Sequence, residues 1–127
     1  MANELKLTTS IVYVNGQLKK TISPGTINLP QATKGVANIT VAATTAEADV
    51  SIGGLGTPGY AYIQSLEATT TGKTWNWGLK SSTGGIPQYF KLPPKSAAFV
   101  CYGTSGMTLR GKMASGTATI DVFIFEN

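Results

Sequence analysis

A chain of 127 residues with one cysteine and no histidine can form no internal disulfide, no Ser-His-Asp or Cys-His catalytic set, and none of the usual zinc or blue-copper ligand sets. Charged residues make up only 13%, about half the ordinary share, against 42% apolar. One domain with a real core is therefore expected over 1–127, its surface covered by Ser, Thr, Asn and Gly. The net charge of +4 comes from dispersed cations in which only Lys19 and Lys20 adjoin, a scatter that fits solvated strand faces better than a nucleic-acid track.

The dominant period is two. Leu5, Leu7, Thr9, Ile11 and Tyr13 fall on one face of "ELKLTTSIVYV", and Asn15-Gly16 then predicts a two-residue hairpin turn, because both residue types accept positive φ. "QLKKTI" is the returning strand, stopped at Pro24-Gly25, and "TINLP" is a short extended piece. "GVANITVAATT" alternates, "ADVSI" is a brief strand, and "YAYIQSLEA" sets Tyr60, Tyr62, Gln64 and Leu66 opposite Ala61, Ile63 and Ser65. "TWNWGLK" puts Trp75, Trp77 and Leu79 on one face. "QYFKL" ends before Pro93-Pro94, which cannot continue a central strand. "SAAFVCY", "MTLRGKM" and "TATIDVFIF" follow, the last with Ile120, Val122 and Ile124 on one side. Cys101, inside an apolar run, reads as a small buried hydrophobe. About eight or nine short strands with turn signals between them, and no helical period, predict an all-β fold: an antiparallel sandwich, a jelly roll or a small barrel.

Residues 54–60, "GLGTPGY", match the G-x-G-x-x-G spacing through Gly54, Gly56 and Gly59. That spacing holds a pyrophosphate only where a helix N-terminus follows the glycines. Here a β-forming "YAYIQSL" follows, Pro58 removes an amide, and no acid stands between Glu67 and Asp121 to hold a ribose. The stretch is expected to be a turn, with Pro58-Gly59 at the centre of a type II bend and Gly53-Gly54 and Gly56 permitting a sharp reversal. No cofactor is expected. Of the acids, only Glu47 and Asp49 lie close in sequence. The start "MANELKLTTS" lacks an apolar signal core and the longest apolar run, 97–102, is too short to span a bilayer, so synthesis in a cytoplasm without membrane association is expected.

Two features point to binding. Trp75 and Trp77 share a strand face with Tyr89 a loop away, which suits either core packing or stacking on a sugar or base. The loop 81–88, "SSTGGIPQ", could serve as a contact arm.

"GLGTPGYAYIQSLEAT", "FKLPPKSAAFV" and "TIDVFIFEN", in that order over about residues 45–127, resemble a family of small structural proteins of tailed bacteriophages. Ser65 stands where that family usually has Asn, and "PPKS" at 93–96 where Pro-Gly-Glu is typical. The resemblance implies a β-sandwich building block of a virion without catalysis, whose partners are copies of itself and other virion proteins. Its expected contact elements are an N-terminal arm over 1–10, the 81–88 loop and the final strand. Two other readings stand beside it. One is a carbohydrate-binding host-recognition module using Trp75, Trp77 and Tyr89. The other is a barrel binding single-stranded nucleic acid through Lys80, Lys91 and Arg110, which the scattered charge disfavours.

Overall fold

The computed structural model describes residues 3–31, 35–68, 73–81, 89–102 and 106–126, and every regular element among them is a β-strand. The chain forms two compact units, Met1–Thr33 and Lys34–Asn127. The sandwich therefore lies in the second unit, where one domain over 1–127 was expected, and residues 3–10 of the arm expected over 1–10 belong to one strand of a longer hairpin.

That hairpin joins β1 (Asn3–Asn15) to β2 (Leu18–Gln31). Asn15 pairs with Leu18, so the loop is Gly16-Gln17, one residue later than the Asn15-Gly16 turn expected. Gly16 takes φ +58, which places a glycine at the first central position, as a type II′ connection requires. β2 also runs through Pro24-Gly25, where it was expected to stop. Between the pairs Thr9–Gly25 and Ile11–Ile22, β1 has one residue, Ser10, and β2 has two, Ser23 and Pro24. The bulge takes the proline out of the ladder, and Gly25 at φ +90 absorbs the bend.

The second unit contains β3 (Val36–Ala43), β4 (Ala48–Asp49), β5 (Pro58–Ser65), β6 (Trp75–Lys80), β7 (Phe90–Leu92), β8 (Ala97–Cys101), β9 (Thr108–Met113) and β10 (Ala118–Glu126). They form two antiparallel four-stranded sheets, ordered β3-β10-β5-β8 and β4-β9-β6-β7. The pairing is nested: β3 with β10, β4 with β9, β5 with β8, β6 with β7. A ribbon folded over at β6–β7 and rolled into two layers has this order, which is that of a jelly roll.

Period-two alternation fills the space between the layers. Ala61, Ile63, Ile120, Val122 and Ile124 come from one sheet, and Trp75, Leu92, Leu109 and Met113 from the other, all with almost no exposed surface. Cys101 does not join them: Val100 points inward, and the next residue of this edge strand is exposed. The expected buried thiol is thus a surface one, because alternation outranks the apolar character of its neighbours.

Pro58-Gly59 open β5 rather than centre a turn, and Gly59 does not take positive φ. The reversal lies upstream, where Gly53 (φ +64) and Gly54 (φ +84) sit between Ile52 and Leu55, whose backbone bond is 3.2 Å. Two consecutive positive φ values make this a type I′ bend, open to glycine at both positions.

Candidate interaction surface

The three aromatic candidates do not come together. Trp75 and Trp77 face the core, 1% and 8% exposed, and Trp77 packs on Phe90 with ring centroids 5.2 Å apart. Tyr89, just before β7, lies on the opposite face of the same sheet, because the register pairs Trp77 with Phe90. The proposed sugar-stacking platform of Trp75, Trp77 and Tyr89 is therefore not assembled: alternation sends the tryptophans inward and the tyrosine out.

That outer face carries a mixed charge network. The Tyr89 hydroxyl donates to Glu47 Oε2 at 2.8 Å, and this hydrogen bond to a carboxylate holds the phenol above its ordinary pKa. Arg110 Nε lies 3.2 Å from a carboxylate oxygen of both Glu47 and Asp49, and Lys80 Nζ 3.6 Å from Asp49. Lys112 Nζ sits 5.5 Å from the Tyr89 ring centroid. Partly exposed pairs of this kind are each worth about 0–1 kcal/mol. Their consequence is electrostatic: Lys80 and Arg110, two of the three cations assigned to a nucleic-acid surface, face carboxylates instead of an open groove. The loop 81–88 lies outside the described residues except for Ser81.

The "GLGTPGY" loop does hold an anion, but it is the chain's own. Gly56 N–H donates to Glu126 Oε1 at 2.6 Å and Gly35 N–H to Oε2 at 3.2 Å. A Cβ at Gly35 would lie 2.6 Å from the Glu126 carboxyl carbon, so a larger residue there must shift that carboxylate. The end of β10 thereby pins the loop before β5 and the entry to β3. Glu126→Gln keeps the shape but replaces one acceptor oxygen with a donor facing a donor. It is expected to lower stability by about 1–3 kcal/mol, read as a shift in the urea midpoint with unchanged slope.

Among the described residues, most of the exposed large apolar side chains are on the hairpin. Register places Leu5 opposite Leu29, Leu7 opposite Ile27, Ile11 opposite Ile22 and Tyr13 opposite Lys20, with Leu18 beside the turn. These residues share one face. The other face carries Lys6, Asn28, Thr8, Thr26, Thr21 and Lys19, interrupted by Val12 and Val14. Ile11, Tyr13 and Leu18 are 60%, 50% and 61% exposed, and Ile22 and Ile27 are exposed as well. A two-stranded ribbon is at best marginally stable in water unless its apolar face is covered.

Sequence reasoning found half of this face. Leu5 to Tyr13 alternate without interruption, but on β2 the matching residues are even-numbered up to Ile22 and odd-numbered from Ile27. The bulge switches the parity, and only the pairing shows that both sets lie on one side.

The described structure defines this chain as an antiparallel jelly-roll sandwich preceded by an amphipathic β-hairpin. No family model, no curated protein and no solved structure matches it. Among the described residues, no three Cys, Asp or Glu side chains gather as metal ligands would, and no helix is long and apolar enough to cross a membrane.

Proposed function

We propose that the chain is a non-enzymatic structural subunit of a virion, capsid or capsid-associated, that works by packing against copies of itself and neighbouring virion proteins. One observation carries this reading most directly: a hairpin of two long strands with an uncovered apolar face, a build that calls for a partner surface. The low charge of the chain and its resemblance to phage structural proteins point the same way. Jelly rolls serve capsids, lectins and cupins alike, so the fold is compatible with the reading without selecting it. The carbohydrate alternative loses its main support with the burial of Trp75 and Trp77. An antibody to the chain should label gradient-purified virions of the phage carrying its gene, at a fixed copy number per particle. Presence only in the particle-free fraction of the lysate overturns the proposal.

A further inference from the structure

The apolar face of the hairpin is laid out nearly symmetrically about its own middle. Thr9 is the central residue of β1 and pairs with Gly25. Two and four residues before it stand Leu7 and Leu5, backed by Ile27 and Leu29. Two and four after it stand Ile11 and Tyr13, backed by Ile22 and by Lys20 with Leu18 beyond. The centre is small: Gly25 has no side chain, and nothing lies within 4 Å of where a Cβ would be.

We propose that two copies of the chain associate hairpin on hairpin, apolar face to apolar face, about a two-fold axis through the Thr9–Gly25 pair. This rests on reading the chain as an assembly subunit and names the first contact it makes. The rotation lays Leu7 and Ile27 of one copy over Ile11 and Ile22 of the other, and Leu5 and Leu29 over Tyr13 and Lys20, with Leu18 one pair further out on that face. Lys20 is left at the rim, where its stem covers apolar surface and its ammonium reaches water. The contact is isologous, so one patch serves both partners and the assembly closes.

Area and charge select a second copy as the occupant. A large apolar side chain withdraws about 60–120 Å² on full burial. Eight of them, several already half-covered, give roughly 600 Å² per copy and about 1,200 Å² for the pair, the lower edge of the range for specific interfaces. Lys20 is the one charged side chain on this face, so it offers no ionic pattern for an unlike partner to read.

Sedimentation equilibrium on the full chain should give a dimer. Ile22→Lys is expected to raise the dimer dissociation constant about 100-fold or more, since the residue is buried twice per dimer. Thr21→Lys, on the opposite face, should leave the dimer intact. In a Cys101→Ser background, a short bis-maleimide should link Thr9→Cys into covalent dimers and leave Thr8→Cys monomeric. Near-ultraviolet circular dichroism of Trp75 and Trp77 reports whether each variant keeps the sandwich core. A monomer at the highest concentration reached, or equal cross-linking at positions 8 and 9, overturns the proposal. So does association that appears only with phosphatidylglycerol vesicles, which would make lipid the occupant. A dimer absent from virions sinks the assembly reading and leaves this contact standing; a monomer found in virions does the reverse.

Discussion

Gly111→Ala is expected to destabilise the sandwich by about 3 kcal/mol, although it adds a single methyl group. Gly111 stands in β9 opposite Trp77, diagonal to Trp75. A Cβ built on it would lie 2.5 Å from Nε1 and 2.6 Å from Cζ2 of the Trp75 indole. These are atoms of a rigid ring, and the ring has nowhere to go. Trp75 is 1% exposed, its cross-strand partners are Met113 and Leu92, and all three are fully buried. Close-packed interiors answer such a methyl with off-rotamer side chains or a displaced strand. The expected reading is a lower urea midpoint with an unchanged slope, followed by tryptophan fluorescence. The cause is tested by a double-mutant cycle. Trp75→Leu alone should cost about 3 kcal/mol through lost burial and the cavity left behind, but in that background Gly111→Ala should become neutral or slightly favourable, because alanine is the better strand residue. Equal penalties in the two backgrounds would mean that contact with the indole is not the reason.

The same pair illustrates how much could be read before the fold was known. Alternation in "TWNWGLK" set Trp75, Trp77 and Leu79 on one side, and inward alternation of this kind, with Ile120, Val122 and Ile124, accounts for most of the all-β core. Alternation says which residues share a face and nothing about what lies across from them. That Trp75 rests on a glycine three strands further along the chain is a property of register, invisible in either segment alone. The Glu126 contact was hidden for the same reason: seventy positions separate the carboxylate from Gly56, so a glycine-rich loop could be tested for an external phosphate but not matched to its internal partner. Boundaries failed where local chemistry was overridden. Pro24-Gly25 signals a stop, yet the two residues fit a bulge inside a strand; Pro58-Gly59 signals a bend, yet the bend is made by Gly53-Gly54. The hairpin face combined both difficulties, since the bulge reverses the parity on which the reading of strand faces depends.

Raising the pH from 10 to 12 is expected to remove roughly 2 kcal/mol of stability through one residue, Tyr102. It follows β8, is 8% exposed, and is tied by its backbone N–H to Gly59 C=O at 2.8 Å. Among the described residues its hydroxyl has no hydrogen-bond partner, and burial pushes its pKa up to about 12 from 10.0. Below pH 10 the phenol is neutral in both the folded and the unfolded chain, so its contribution does not vary with pH. Between 10 and 12 the unfolded chain gives up the proton while the folded chain keeps it. The folded state then binds more protons than the unfolded state, and stability falls as pH rises, by at most about 1.4 kcal/mol per unit. Lysine side chains as a class lose charge in this pH range, so the wild-type profile alone does not isolate the effect. Tyr102→Phe does. It removes the ionisation and the unpaired hydroxyl together, and at neutral pH it should be neutral or stabilising by up to about 1 kcal/mol. The difference in unfolding free energy between the two proteins should be constant to pH 9.5 and then widen in favour of phenylalanine. Parallel profiles up to pH 11.5 would show that the phenol ionises as readily in the folded chain as in the unfolded one, and that the Tyr102 hydroxyl is reached by water.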